Sequence, residues 1–165
     1  MKRIAAILAC ALLIFQVASA VGAIGSFSFA LPEGFELVEG EALEGYRQAA
    51  AADAGGAFDG EVLLARSGEK SVSVVAEPSG ASDAQQAAEA IVKEYAKYIP
   101  GFESVVPEAV EAAGRAFVRL RFAVDGDVAQ QYFLADGGTL YVLTFMGMED
   151  AEAEAALPGF ASQAQ

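Results

Sequence analysis

One four-residue spacing in the sequence matches that of a known pair of nucleophile and base. Ser67-Gly68-Glu69-Lys70 has the S-x-x-K pattern, in which a lysine one helical turn after a serine activates the serine hydroxyl. That chemistry needs the serine at the start of a helix, whereas Gly68 predicts a hairpin tip between two strands. The accompanying S-D-N and K-T-G patterns do not occur in the sequence. We therefore predict a turn here and no catalytic role.

The remaining candidates for metal binding or catalysis are carboxylates. Asp125-Gly126-Asp127 has two ligands of a calcium loop, but the further ligands of an EF-hand do not follow, and Asp-Gly is typical of a hairpin turn. A carboxylate pair for glycoside hydrolysis stays open, because an acid-rich chain supplies many candidates. The sequence has no His, which is the commonest acid–base group, and its one Cys, Cys10, lies in the apolar N-terminal segment. We predict no catalytic residue, no metal site and no cofactor.

Three arginines alternate with one aromatic residue along a predicted strand: Arg115, Phe117, Arg119 and Arg121. Alternate residues of a strand point to the same face of a sheet, so these side chains share a face. Arginine and aromatic residues are enriched at the anchors of protein interfaces, and one hypothesis is a surface that docks a partner. The alternative is that acidic residues on an overlying helix pair with the arginines.

The composition limits the classes of partner. The chain has 165 residues, of which 55% are hydrophobic, and this predicts one folded domain rather than a disordered chain. Its 23 acidic residues outnumber 10 basic ones, giving a net charge of −13. Nucleic acids and anionic lipid surfaces require a basic surface, so we predict no nucleic-acid partner and keep a protein partner as a hypothesis.

The N-terminal segment has the three parts of a secretory signal peptide. Lys2 and Arg3 precede an apolar run over residues 4–17, which ends in Ala18-Ser19-Ala20 and Val21-Gly22-Ala23. We predict a signal peptide over residues 1–20, with cleavage after Ala20 or after Ala23. The mature protein is then extracytoplasmic, either secreted or held in the cell envelope.

Two other interpretations of the same segment stay open. Residues 4–25 carry no charge, and about 20 apolar residues span a bilayer as a helix, so the segment would also serve as an uncleaved anchor. Ile7-Leu8-Ala9-Cys10 resembles a lipobox, which would place a lipid on Cys10. Contact with a membrane is expected only if one of these two interpretations holds.

Hydrophobic periodicity predicts an α+β chain. The best helix is Ser82 to Ile99, where Ser82 and Gln85 have the spacing of a capping box. Three-residue loops in the last two hairpins would place Val118 and Tyr132 on one sheet face. Neither face is polar throughout, so we predict an antiparallel sheet of about six strands covered by helices on both sides. The predicted elements are helices over 41–52 and from 149, and strands over 26–31, 61–66, 70–76, 105–111, 116–124, 128–135 and 139–146.

The order of these segments resembles a known family. Its opening pattern is similar to residues 27–35, FSFALPEGF, and its later strands are similar to Val72-Ser73-Val74 and to residues 136–145, DGGTLYVLTF. The family is the PsbP-like α/β/α sandwich superfamily, including an exported bacterial branch of unassigned function. The resemblance implies a single PsbP-like domain over residues 26–163, a central antiparallel sheet between helices, and a non-enzymatic accessory or protein-binding role.

These observations favour an exported, non-catalytic binding or accessory module whose ligand is a protein or a small molecule. Two alternatives remain: an extracytoplasmic enzyme that uses carboxylates, and a membrane-tethered structural module. Two facing acids in a cleft with raised carboxyl pKa values would favour the enzyme, whereas a shallow surface of arginine and aromatic residues would favour the binding module.

Overall fold

A computed structural model of the chain describes residues 21–53, 59–78, 83–99, 102–103, 105–124 and 126–162. The predicted signal peptide and Cys10 lie outside the described residues, as do Ser82 and Asp125. No helix within the described residues is long and apolar enough to cross a membrane.

A seven-stranded sheet forms the centre of the fold, with neighbouring strands antiparallel in the order β3-β4-β5-β9-β8-β7-β6. The four consecutive strands β6 to β9 form the predicted meander. A turn of two residues joins each of these strands to the next. The predicted α+β class is confirmed, with more strands in the main sheet than the expected six. The strands are β3 (Glu36–Leu37), β4 (Glu61–Ser67), β5 (Lys70–Pro78), β6 (Glu108–Ala112), β7 (Arg115–Val124), β8 (Asp127–Asp136) and β9 (Thr139–Met146).

A second, three-stranded sheet has the order β1-β2-β10. It consists of β1 (Val21–Ile24), β2 (Phe27–Ala30) and β10 (Phe160–Ser162), so it joins the two ends of the described chain. The sequence analysis predicted β2 but missed the two short strands on either side of it. Phe27, Phe29 and Phe160 of this sheet are fully buried, and their rings pack against Tyr141 and Phe145 of β9.

All three helices were predicted, but the start of one of them differs from the prediction. Helix α1 (Gly40–Asp53), helix α2 (Ala84–Tyr98) and helix α3 (Asp150–Ala156) lie where the sequence predicts helices. The predicted capping residue of α2 was Ser82, but the N-cap is Asp83, whose carboxylate accepts a hydrogen bond of 2.8 Å from the backbone N–H of Gln85. Aspartate satisfies a first-turn amide as well as serine does, so the helix begins one residue later than predicted.

Each face of the main sheet is covered by a different layer. On one face, α2 packs over β7 and β8 through Ala88, Ile91 and Val92. The other face is covered by the three-stranded sheet, by α3 and by the short 3₁₀ turn Leu157–Gly159. Both faces are covered, as predicted, although on the second face a small sheet takes the place expected for helices.

The predicted register of β8 was wrong by one residue. Tyr132 lies opposite Arg119, and Phe133 lies opposite Val118, so Tyr132 shares a face with the arginines and not with Val118. The reason is that Val124 pairs with Asp127 and Asp136 pairs with Thr139, which leaves two residues in each loop where three were expected. Because side chains alternate along a strand, one residue fewer in the loop moves the whole strand to the opposite face.

Candidate functional site

The predicted surface of arginine and aromatic residues lies on the face of the sheet that α3 covers. Phe117 is 1% exposed and belongs to the core, so it is not part of the accessible surface, which corrects the predicted set of four residues. Arg115 is half-buried and its guanidinium lies 4.5 Å from the centre of the Phe27 ring, an arrangement that attracts a cation to the face of an aromatic ring. The two remaining members, Arg119 and Arg121, reach acidic side chains.

Arg119 joins three elements of the fold. Its Nη2 lies 2.7 Å from Oε2 of Glu108 on β6, and its Nη1 lies 2.8 Å from Oε1 of Glu154 on α3. The side chain is 19% exposed, and Nε is buried without a hydrogen-bond partner among the described residues. Glu108, as the main cause, raises the pKa of Arg119, so this side chain is a permanent cation held by two carboxylates.

Arg121 makes a more exposed pair with the same helix. Its Nε lies 3.0 Å from Oδ1 of Asp150 at the start of α3, and both side chains are about half exposed, at 52% and 51%. Pairing of the arginines with acids on an overlying helix is the arrangement that the second interpretation of this strand predicted. Both guanidinium groups are therefore engaged within the chain, Arg119 through Nη1 and Nη2 and Arg121 through Nε.

A third ion pair to α3 holds the first turn of the helix. Lys70 at the start of β5 donates to both carboxylate oxygens of Glu152, at 2.7 and 2.9 Å. Glu152 also accepts a hydrogen bond from the backbone N–H of Glu149, which caps the helix. Lys70 above all, and then this backbone N–H, lower the pKa of the Glu152 carboxyl. A general acid requires the opposite shift, so Glu152 is suited to an ion pair and not to proton donation at neutral pH.

The S-x-x-K residues form the tip of the β4–β5 hairpin. Ser67 pairs directly across the hairpin with Lys70, and only Gly68 and Glu69 lie between them. Gly68 has a φ of 60°, a conformation that glycine adopts without steric cost. This is the predicted turn, and Lys70 is already bound to Glu152. Within the described residues, no three His, Cys, Asp or Glu side chains are placed to hold a metal ion.

A row of polar side chains crosses the face of the sheet that lies under α1 and α2. Ser73 of β5 pairs with Thr144 of β9, which pairs with Gln131 of β8. A tyrosine from each helix bonds to one end of the row: the Tyr46 hydroxyl lies 3.1 Å from Oγ of Ser73, and the Tyr95 hydroxyl lies 3.1 Å from Oε1 of Gln131. We name these five residues the polar row. Its hydrogen bonds are made within the chain, so the row orients the two helices on the sheet.

The ring of Tyr95 belongs to an aromatic cluster at the C-terminal end of α2. Its centroid lies 5.8 Å from that of Phe102 and 5.1 Å from that of Phe122 on β7, and the last two lie 5.6 Å apart. All three rings are partly exposed. We name Tyr95, Phe102 and Phe122 the aromatic cluster.

An open cavity and two exposed apolar side chains lie in the same part of the chain. The cavity has a volume of about 410 Å³ and is lined by Glu103, Val105, Arg121, Phe122, Ala123 and Val128. Tyr98, three residues after Tyr95, is 76% exposed, and Val106, next to the lining residue Val105, is 81% exposed. The exposed side chain of Val106 therefore follows directly on a lining residue of a partly apolar cavity, and contiguous exposed apolar surface is typical of a site that another molecule covers. This is the candidate functional site, at the edge of the sheet where β7 ends.

The sequence analysis missed this site because none of its residues has a catalytic spacing. Tyr95 lies within the helix predicted from Ser82 to Ile99, and the segment 105–111 was predicted to be a continuous strand, whereas β6 begins only at Glu108. Pro107 is the signal that could have corrected this, because proline has no N–H to donate to a neighbouring strand and is typical of strand ends.

Two solved structures have folds similar to that of this chain. The solution structure of cyanobacterial PsbP (CyanoP) from Synechocystis is similar with a TM-score of 0.51 and 15% sequence identity, covering 84% of this chain and 87% of that one. A crystal structure from Bacteroides thetaiotaomicron is similar with a TM-score of 0.50 and 14% identity, covering 85% of this chain. The chain spans 46% of the length of that Bacteroides protein.

These similarities define the class of fold. The chain has a PsbP-like fold, as the resemblance of its sequence implied. No family model matches the chain, and no curated protein matches it. At such low identities the likeness extends to the path of the backbone and carries no functional residue across.

Proposed function

We propose that this protein is an extracytoplasmic, non-catalytic accessory module that binds a partner protein. The observation that carries the proposal is the exposure of Tyr98 and Val106, at 76% and 81%, on either side of the segment that contributes Phe102 to the aromatic cluster. Covering an exposed aromatic or branched apolar side chain with a partner lowers the free energy of the complex, because apolar surface is removed from water. Tyrosine is also among the residues enriched at the energetic centres of protein interfaces.

The contacts of the arginines favour a binding surface other than the predicted surface of Arg115, Phe117, Arg119 and Arg121. Arg119 is 19% exposed and paired with Glu108 and Glu154, so a partner that used this arginine would have to displace those carboxylates, whereas Arg121 is paired with Asp150 through Nε and is about half exposed. Tyr98 and Val106 need no such rearrangement. The proposed interface therefore lies around the C-terminal end of α2 and the β7 edge, and not on the face under α3.

The extracytoplasmic location rests on the N-terminal sequence. Mass spectrometry of the N-terminus of the protein isolated from its own cells distinguishes the three forms: Val21 or Ile24 indicates a released protein, Met1 an anchored one, and a lipid on Cys10 a lipoprotein. A released or lipidated form outside the cytoplasm supports the proposal. An unprocessed chain in the cytoplasm contradicts it.

Affinity capture with matched variants tests the binding role. The chain beginning at Val21 is immobilised as the wild type, as Val106→Glu and as Gln86→Glu, and exposed to envelope extract and culture medium from the native cells. Gln86 is an exposed residue in the first turn of α2 and receives the same added charge about 18 Å from the end of the helix. We expect Val106→Glu to lose a protein that both the wild type and Gln86→Glu retain. Equal capture by all three would contradict the proposed surface.

A further inference from the structure

The outer edge of β7 lacks a strand partner along its second half. β6 pairs with β7 from Arg115 to Arg119, and β7 then continues to Val124. On its inner side β7 pairs with β8 from Val118 to Val124, so residues 120–124 keep a regular strand conformation. In the described part of the chain, no strand accepts or donates hydrogen bonds on the outer side of these residues.

The chain is diverted away from this edge just before β6. Pro107 would lie opposite Leu120 if the pairing continued, and it has no N–H to offer. Upstream of it, Val105 packs with the apolar residues under α2, and the Phe102 ring contacts Phe122 on that same face. The segment before β6 therefore crosses to the α2 side of the sheet, which opens the cavity of about 410 Å³ beside residues 121–123.

We infer that this edge receives an extended segment of a partner protein, which adds to the main sheet as a strand in line with β6. The inference rests on the proposed binding function and specifies its mode. Unpaired N–H and C=O groups of a regular strand are complementary to another extended backbone, and side-chain pockets beside the edge add specificity. Here Phe122 and Val105, which line the cavity, offer an apolar contact for alternate side chains of the added strand.

The charge around the edge indicates the composition of that segment. Glu103 lines the cavity, in a chain whose net charge is −13. Arg121, the cation beside the edge, is paired with Asp150. A segment with lysine or arginine between apolar residues is therefore attracted, whereas a second copy of this acidic chain is repelled.

A short peptide of alternating lysine and valine, with both ends blocked, is the probe. Amide hydrogen exchange and ¹⁵N chemical shifts are recorded for the chain beginning at Val21, with and without the peptide. We expect the exchange of amides within residues 120–124 to slow by about tenfold or more, because strand pairing protects amides that face water. The control peptide has the same sequence with every backbone amide N-methylated, so that it keeps the charge and cannot pair as a strand.

Two protein variants separate local recognition from general attraction. Glu103→Lys and Glu33→Lys change the net charge equally, and both residues are exposed, but only Glu103 lines the cavity. We expect Glu103→Lys to weaken binding of the peptide severalfold more than Glu33→Lys does. Equal effects of the two variants, or equal protection by the N-methylated peptide, would overturn the inference.

The remaining outcomes are also decisive. One of them is protection of the amides of residues 120–124 without peptide, to a degree that rises with protein concentration, while light scattering gives the mass of a dimer. That result would identify a second copy of the chain as the occupant and overturn the inference that a basic segment of a partner binds here. Absence of any protection with the peptide overturns strand addition at β7 by such a segment, while the loss of capture by Val106→Glu still tests the proposed function separately.

Discussion

The guanidinium of Arg119 lies 2.8 Å from Glu154 and 2.7 Å from Glu108, so one side chain of β7 binds both helix α3 and the edge strand β6. The two carboxylates, Glu108 and Glu154, are 46 positions apart in the chain. Because Arg119 is largely buried while its partners are more than half exposed, its loss leaves two carboxylates that water can solvate. The cost of losing Arg119 is therefore the loss of its own ion pairs to α3 and β6, without an added penalty for a buried unpaired carboxylate.

Replacing Arg119 and Arg121 together by glutamine should lower stability and leave partner capture unchanged. Arg119→Gln removes charged hydrogen bonds to two acids, which we expect to cost about 1–2 kcal/mol, or roughly 3–6 °C in Tm. The more exposed Arg121–Asp150 pair should contribute about 0.5 kcal/mol or less. Thermal unfolding of both single variants and the double variant measures these values. Lost capture with an unchanged Tm would instead restore the arginines as the docking surface.

The sequence predicts the elements of this fold better than their relative placement. Hydrophobic periodicity correctly predicts the strand over residues 70–76 and the helix over residues 82–99, because such patterns depend on local burial. The face of Tyr132 was wrong, because it depends on whether a loop has two or three residues, and both Asp-Gly loops fit either length. The small sheet was missed because β1 and β10 are short and become strands only through pairing with β2.

The contrast between local patterns and long-range contacts also explains why the sequence did not predict the candidate site. Arg115, Arg119 and Arg121 are visible in the sequence as a spacing, but the partners of Arg119 and Arg121 on α3 are some thirty positions away and no local pattern identifies them. Among the described residues, no strand pairs with the outer edge of β7 beyond Arg119, because β6 begins only at Glu108, and this is a property of the whole sheet. A break in pairing at Pro107 is the one local signal of it.

Removing one partner of the Tyr95–Gln131 pair should destabilise the protein more than removing both. Nε2 of Gln131 donates to the Tyr95 hydroxyl at 2.8 Å and to Thr144 at 3.2 Å, and Gln131 is 7% exposed. Tyr95→Phe leaves the buried amide short of a partner, at a cost of about 1–2 kcal/mol. Adding Gln131→Met removes the amide that needs the bond. Chemical denaturation of the two single variants and the double variant measures the coupling, and strictly additive effects would contradict it.

The Lys70–Glu152 pair should make stability depend on pH in the acidic range. The pKa of Glu152 is lowered in the folded protein, from an ordinary value of 4.5, so its carboxylate form favours folding. This contribution is fully present above the unfolded pKa and disappears as the pH falls through the lower folded pKa. Glu152→Gln should therefore be less stable than the wild type at neutral pH, with the difference vanishing in acid. Lys70→Met should show the same trend, and a difference that persists at the lowest pH would exclude this cause.

Gly159 should not tolerate alanine. A Cβ at this position would lie 2.6 Å from the backbone oxygen of Ala30, closer than a carbon and a carbonyl oxygen can approach. The backbone of β2 or of the turn before β10 must then move, and we expect Gly159→Ala to cost about 1–3 kcal/mol. Gly45→Ala is the matched control, because nothing lies within 4 Å of its added Cβ and alanine favours the interior of helix α1. Thermal unfolding of the two variants should differ in sign.

The position of β1 distinguishes the two predicted cleavage sites. Cleavage after Ala20 leaves Val21 as the first residue and keeps all four register pairs of β1 with β2, whereas cleavage after Ala23 keeps only Ile24↔Phe27. The lost residues include Gly22, which is buried against Leu63, and their removal exposes the edge of β2. We expect the chain beginning at Ile24 to be less stable than the chain beginning at Val21 by about 2 kcal/mol or more, or roughly 6 °C in Tm.

A matched control keeps the strand but changes its surface. Val21→Ser, in the chain beginning at residue 21, alters a side chain that is 59% exposed and should shift the Tm only slightly. If the shorter chain were as stable as the longer one, β1 would contribute nothing to the folded state and the second cleavage site would be equally compatible with the fold. If it is less stable, as expected, a signal peptidase that cut after Ala23 would release a weakened protein, and the N-terminus found in mature material should be Val21.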